Sequence, residues 1–388
     1  MRKILHLCLC GLVTEGMTYQ DNLLPKYHKR LGYEVKMITS RWCFDDKGNA
    51  VLFDETEYVN ADGIEVLRLP IVNGKPFSFR LRRYAGLYES IDAYSPDILF
   101  IHGCQFMDAD IVARYLKWHS KVLAFVDNHA DFSNSATNWA SRVLLHRCLW
   151  RNRAKKLLPY VHKWYGVLPA RIDFLHDIYG IPREDISLLE MGIDDDYVSS
   201  STSAESVEGA RRELALVPED FVLVTGGKID AAKMETLDLM RAFSKIKKEH
   251  LKLVIFGEVE AFLRDEFEKL LAEDSRILFI GWKTAADIYR YLGAADLVCF
   301  PGRHSVLWEQ TVGLGIPAVF KYWDGTTHVD VGGNCKFLKD TSEKGIYDML
   351  VTLLCDDGIE YKKMKVVAGG RARERFSYLK IAEKSIEK

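Results

Sequence analysis

Residues Ala294 to Lys321 read AADLVCFPGRHSVLWEQTVGLGIPAVFK, and the order of apolar, glycine and proline residues in this stretch decides the fold class. The run Leu297-Val298-Cys299-Phe300 is short and apolar enough for a buried parallel strand, and Pro301-Gly302 ends it. A helix follows, with Ser305 as its expected cap, Leu307, Trp308, Val312 and Leu314 as apolar positions, and Gly313, Gly315 and Pro317 as its stop. Ile316 to Phe320 then reads as the next strand. Strand, turn, helix and strand in that order put free helix amides at the carboxyl edge of a parallel sheet. Such an edge binds anions. Glu309, about one turn into the helix, is a lone acid there, a residue better suited to accepting hydrogen bonds from sugar hydroxyls.

The same alternation spreads in both directions. Val222 to Thr225, Leu253 to Phe256 and Ile277 to Ile280 precede it as short strands separated by helical patterns, which makes a doubly wound domain of the second half. Ile4 to Cys10, Glu34 to Thr39, Ile64 to Leu69, Ile98 to Ile101 and Val122 to Val126 repeat the logic in the first half. A chain of 388 residues exceeds what one hydrophobic core usually serves, so two domains are expected. Ser199 to Ser203 and the charged residues up to Arg212 show no apolar period, which marks a linker. The expected layout is therefore an α/β chain with one Rossmann-like domain over 1–197, a linker over 198–216, a second domain over 217–370 and a closing helix over 371–388.

Composition narrows the function. A net charge of -2, from 53 basic and 55 acidic residues, gives no global reason to expect nucleic acid. The eight cysteines show no C-x-x-C pair and several lie inside apolar strands, the pattern of buried reduced thiols in a cytoplasmic protein. Met1-Arg2-Lys3 before ILHLCLCGLV imitates a leader peptide, but His6 interrupts the apolar run, and a first buried strand is the better reading. No apolar run approaches the roughly 18 to 20 residues needed to span a bilayer. Two basic and aromatic clusters stand out, 77–84 and 141–156; in the second, Leu145, Cys148, Leu149 and Trp150 are expected on one helix face with cations on the other. Together they suit an anionic membrane surface on the inner face of a membrane.

Two sets of strand-end residues carry chemistry. Val126-Asp127-Asn128-His129 ends a first-half strand with an acid and an imidazole, and Asp127 is close enough to orient His129 or a neighbour. Thr225-Gly226-Gly227-Lys228, with Lys233 five residues beyond, ends the first strand of the second half. Cations at such a position stabilise negative charge that builds on a leaving phosphate. They replace a divalent metal, and no D-x-D element stands in a convincing strand-end setting: Asp194-Asp195-Asp196 follows a Gly-Ile turn beside the linker.

The segment 294–321 resembles the nucleotide-sugar-binding signature of retaining glycosyltransferases of family 4. Glu309 matches the second signature glutamate and Gly315-Ile316-Pro317 the Gly-hydrophobic-Pro turn. The first glutamate is replaced by Pro301, and His304 and Ser305 stand where that family usually has a Gly-hydrophobic pair. The run from Leu168 through Gly192-Ile193-Asp194 is similar to that family's last N-terminal segment, so the resemblance covers nearly the whole chain. It implies the GT-B fold, two Rossmann-like domains facing a cleft, with a closing helix that crosses back to the first. It implies a metal-independent retaining hexosyltransferase that needs no cofactor and uses a nucleoside-diphosphate sugar, with a UDP-sugar expected, on a saccharide or lipid-linked acceptor in surface polysaccharide assembly. Lys228, Lys233, His129 and Asp127 then serve catalysis. Gly16 of the first loop, Gly227, Glu258, Trp282 as a base-stacking ring, His304, Ser305, Val306 and Glu309 at the ribose serve the donor. The alternatives are a GT-B sugar-nucleotide epimerase and a catalytically silent partner subunit, the second of which accounts for the absent glutamate.

Overall fold

The computed structural model describes residues 1–44, 49–72, 81–354 and 358–387, and of Ala372 only the backbone. Two compact units result: Met1–Met191 with Tyr378–Lys388, and Gly192–Ser377. The chain therefore passes between them at 191–192 and at 377–378, and residues 371–377 of the expected closing helix stay with the second unit.

The first unit is built on β1 (Lys3–Cys8), β2 (Glu34–Ser40), β5 (Glu57–Val59), β6 (Glu65–Leu69), β7 (Ile98–His102), β8 (Leu123–Asn128), β9 (Val161–Gly166) and β10 (Ile186–Leu188). A small antiparallel pair, β3 (Trp42–Phe44) and β4 (Ala50–Leu52), stands apart. The large sheet runs β10-β9-β8-β7-β1-β2-β6-β5, and β5 is its antiparallel edge. The N-terminal apolar run is β1, in the sheet's interior, and its buried residues do not alternate because helices cover both faces. The helix Tyr378–Ser385 packs Tyr378, Ile381 and Ala382 against Leu23, Leu24 and Tyr27 of the helix Gln20–Arg30.

The second unit holds a six-stranded parallel sheet in the order β13-β12-β11-β14-β15-β16. Its strands are β11 (Phe221–Ile229), β12 (Leu251–Val259), β13 (Ile277–Phe279), β14 (Leu297–Phe300), β15 (Ala318–Lys321) and β16 (Cys335–Leu338). The strand, helix, strand unit of residues 294–321 is present as read, with the helix at Leu307–Gly313.

Residues 198–216 are not an extended linker. They lie largely in the helices Asp195–Thr202 and Ala204–Glu213, capped by Asp194 and Ser203, whose side-chain oxygens accept from Asp196 N and Ser206 N. Weak helix formers are held there by packing on the helix Ala285–Gly293: Tyr197 stacks on Tyr289 at 4.9 Å, and Ala210 is buried with Tyr291 and Ala294. The triple aspartate is thus spent on a helix start, as its first residue caps and the next two lie in the first turn, where negative charge is favoured. No helix among the described residues is long and apolar enough to cross a membrane. The seven described cysteines are free thiols.

Candidate functional site

In the second unit, β11 does not stop at Thr225 as its apolar run suggests. It continues through Gly226 and Gly227 to Ile229, paired residue by residue with β12 up to Val259. The glycines make that possible: a Cβ on Gly257 (φ +126°) would lie 1.8 Å from the Gly227 carbonyl oxygen. The close approach leaves room for Lys233, whose Nζ sits 2.8 Å from where a Gly227 Cβ would be and whose Cγ lies 3.0 Å from that of Gly302. Lys233 therefore bridges the carboxyl ends of β11 and β14, lining a small hollow with Thr225, Pro301, Gly302, Arg303 and Ser305. Burial lowers its pKa, Asp230 opposes that, and the Arg303 charge adds to it. Arg303 is a cation that sequence reading passed over. Lys228 has different surroundings: opposite Glu258 in register, 59% exposed and 3.3 Å from Glu260 Oε1. Trp282 follows β13 and is 63% exposed.

Ser305 does not cap the helix with its hydroxyl. Val306 is already helical, and the Ser305 carbonyl accepts from Trp308 N at 3.0 Å. The helix of seven residues is buried throughout, Glu309 included. One oxygen of Glu309, Oε1, accepts from His304 Nε2 at 2.9 Å and from His328 Nε2 at 2.8 Å. Burial raises the Glu309 pKa, but the two imidazoles outweigh it and hold the carboxyl down at about 2. Glu309 Oε2 and His328 Nδ1 are buried without a hydrogen-bond partner. The ligand atoms of His304, Glu309 and His328 lie within 4.8 Å of one another, close enough to hold a divalent cation. His328 stands in the turn Thr327–Val329, with no spacing motif to tie it to Glu309 from sequence.

In the first unit, a cavity of about 1000 Å³ opens beside the carboxyl ends of β7 and β8. Gly11, Tyr19, Gln20, Gln105, His129 and Trp150 are among its walls, a mix of aromatic faces and amide or imidazole edges suited to a hydroxylated ligand. Gly11 of the first loop reaches it; Gly16, with φ +77° and open space around it, is not among the lining residues. The structure does join Asp127 and His129, whose Nε2 is 3.3 Å from Asp127 Oδ2. It adds three partners: His102 Nδ1 at 3.0 Å, Gln20 Nε2 at 3.0 Å, and Gly103 N donating to Oδ1 at 3.0 Å. A second buried network, missed in the sequence, has Tyr179 OH accepting from Gln105 Nε2 and paired with His146 Nδ1.

The basic stretch departs from its expected face. Ser141–Trp150 is a π-helix, so its bonds run i to i+5 and the inward positions shift. His146 and Trp150 are buried, whereas Leu145 and Cys148 are exposed. Of the other cluster, residues 77–80 lie outside the described residues. Arg82 donates to the Gln105 carbonyl, Arg83 pairs with Asp108 at 3.5 Å and Tyr84 is buried, so these three are engaged by the protein.

Residues 22–197 match the family Glycosyltransferase Family 4, and residues 220–346 match Glycosyl transferases group 1. No curated protein matches the sequence significantly. Among solved structures, a glycosyltransferase from Rickettsia africae aligns with TM-score 0.71 at 15% identity, over 99% of this chain and 96% of that one. HepE of Anabaena in complex with UDP-glucose aligns at 0.69 and 16%, over 99% and 98%. WaaG, a glycosyltransferase involved in lipopolysaccharide biosynthesis, aligns at 0.67 and 14%, over 99% and 100%. The two domain matches and the shared fold place the chain among GT-B glycosyltransferases.

Proposed function

We propose that the protein transfers a sugar, with retention of configuration and without a metal ion, from a nucleoside-diphosphate sugar to a saccharide or lipid-linked acceptor in surface polysaccharide assembly. The observation that carries this is the pairing of Lys233 and Arg303 in one hollow at the carboxyl edge of β11 and β14, where two cations converge beside glycine-exposed backbone. A departing diphosphate gains charge as the glycosidic bond breaks, so cations held there stabilise the transition state more than the bound donor. Lys233 and Arg303 hold the diphosphate, Lys228 adds a more exposed charge, Trp282 stacks on the base, and Glu309 with its two histidines serves the ribose side. UDP is the proposed nucleotide, in keeping with the complex of HepE. The cavity of the first unit takes the acceptor, with His129 at its wall.

A thermal-shift screen across UDP-, GDP- and ADP-sugars tests the donor, because ligand bound only to the native state raises the melting temperature. With the donor in hand, transfer measured in EDTA should match transfer in magnesium or manganese, and the product should keep the donor's anomeric configuration. Loss of activity in EDTA, restored by a divalent ion, would refute metal independence and point to His304, Glu309 and His328 as its ligands.

The proposed place of action is the cytoplasmic face of a membrane. Trp139, just before the π-helix (71% exposed), and Leu144, within it (58%), are uncovered in the same stretch as Arg142 and Arg147. Apolar side chains with flanking cations suit an anionic surface. Binding to vesicles should require anionic lipid, fall with salt and weaken in Leu144→Glu; binding to neutral vesicles alone, or to neither, removes the idea.

A further inference from the structure

Three histidines of the first unit have no part in the steps above, yet they form a continuous buried chain. Ser385 Oγ and the Ala382 carbonyl, both on the helix Tyr378–Ser385, lie 2.9 and 3.1 Å from His28 Nε2. His28 Nδ1 is 3.0 Å from His6 Nε2, His6 Nδ1 is 2.9 Å from His102 Nε2, and His102 Nδ1 is 3.0 Å from Asp127 Oδ2. The chain crosses the sheet from the last helix through β1 to the end of β7, where the register sets His102 beside Asp127.

Valence decides how many protons the chain holds. Ser385 Oγ donates to the Ala382 carbonyl at 2.9 Å, which uses its only hydrogen. Both groups facing His28 Nε2 are then acceptors, so His28 Nε2 must donate, and with one hydrogen in each ring-to-ring contact the three rings share four hydrogens, one more than three neutral imidazoles carry. The extra proton belongs on the ring that faces the carboxylate, His102, which leaves His28 and His6 as neutral rings that donate from Nε2 and accept at Nδ1. His102 therefore donates from Nε2 to His6, and its Nδ1 faces a carboxylate that can only accept. Both ring nitrogens of His102 carry hydrogen.

We infer that His102 is an imidazolium whose charge state is selected by the His6–His28 chain anchored on the last helix, and that it is a positioning residue for Asp127 and, through it, for His129. The charged pair keeps Asp127 ionised and turned to Gly103 N, so that a neutral His129 ring carries its hydrogen on Nε2, toward Asp127, and its acceptor on Nδ1. The same directions follow from the electrostatics. Burial pulls His6 and His28 well below the usual histidine range, the latter to about 3. Burial acts on His102 too, but the neighbouring Cys8 and Asp127 outweigh it and raise its pKa. Cys8 is itself kept protonated by burial, so Asp127 supplies the counter-charge. The groups facing this centre are His6 and Cys8 from β1, Gln20, Asp21 and His28 from the helix Gln20–Arg30, Asp127 from β8 and His129 just after it.

One competing arrangement satisfies the chain with a proton fewer: Ser385 turns to donate to His28, and all three rings become neutral Nδ1–H tautomers. It sets the His28 Nε2 lone pair against the Ala382 oxygen at 3.1 Å in a dry site. The two are separable by NMR on the full chain labelled with ¹⁵N-histidine, without substrate. At pH 7.5, His102 should show hydrogen on both nitrogens, and His6 and His28 on Nε2 alone. Ser385→Ala should leave this pattern intact, since the Ala382 carbonyl remains. His6→Leu removes the acceptor and should weaken proton binding at His102 at least tenfold, and His6→Gln, whose amide oxygen can accept, should restore it. His129 should follow His102, with its Nε2–H tautomer losing population in His6→Leu and regaining it in His6→Gln. A single proton on wild-type His102, a changed His28 tautomer in Ser385→Ala, or an indifferent His129 in His6→Leu overturns the inference. The use of this arrangement in catalysis rests on the proposed sugar transfer, but the proton positions do not, so a failed transfer assay and a failed NMR result are distinct outcomes.

Discussion

Replacing Glu309 by Gln tests whether the carboxylate held by two histidines works as the geometry requires. Its two hydrogen bonds converge on one oxygen in a fully buried site, and its pKa is lowered from 4.5 to about 2. That difference corresponds to roughly 3 kcal/mol of stability at neutral pH. The sign follows from the depressed value: the contribution is whole above about pH 5, declines as pH falls below the unfolded pKa of 4.5, and is lost through about 2, with more than half gone by pH 3. Gln keeps an oxygen for the imidazole N–H groups but no charge, and it does not titrate. Its amide also puts a donor where Glu309 Oε2 has no hydrogen-bond partner. Urea unfolding of the full chain at pH 7, 4 and 3 should show the variant less stable by up to about 3 kcal/mol at pH 7, with the gap closing by more than half at pH 3. A gap that stays constant with pH would refute the reasoning, as would no gap at pH 7.

Lys233→Ala should lower the rate of transfer by roughly ten- to a thousandfold, and Lys228→Ala, whose lysine is exposed and tied to Glu260, should fall in the lower part of that range; equal and negligible effects would reject the diphosphate assignment. Gly257→Ala should destabilise by at least about 3 kcal/mol in thermal unfolding, because its Cβ would sit 1.8 Å from a backbone oxygen at φ +126°, and a near-neutral result would mean that β11 and β12 are not this close. Trp282→Ala should weaken nucleoside-diphosphate binding by about 1 to 3 kcal/mol in calorimetric titration if the ring stacks on a base, and leave it unchanged if the ring is merely exposed.

Much of this was legible because apolar runs and glycine or proline stops report parallel strands directly: both sheets and the 294–321 unit stand where the pattern puts them. The boundary of β11 was not, because two glycines after an apolar run signal a turn in sequence but here allow two backbones to approach within the sheet. The linker was misread for a related reason. Serines have no apolar period, and only the contacts with Tyr289 and Tyr291 make helices of residues 195–213. Asp127 and His129 could be paired because they are two residues apart, while Glu309 and His328, 19 apart on separate elements, could not.

His6 shows why an isolated polar residue in an apolar run carries more than a boundary signal. In sequence it serves only to break a leader-like stretch, and a lone histidine in a strand gives no direction for its partners. Once β1 is the interior strand, its side chain has no solvent to reach, so each nitrogen must find a partner inside the fold. The neighbouring strand offers His102 and the covering helix offers His28. Because those two are themselves buried, the requirement passes outward until it meets a carbonyl at one end and a carboxylate at the other. Two fixed acceptors at the ends of three imidazoles leave one proton more than three neutral rings carry. That excess charge sits on the ring next to Asp127, and a carboxylate with such a neighbour stays ionised in a buried site that otherwise favours its neutral form.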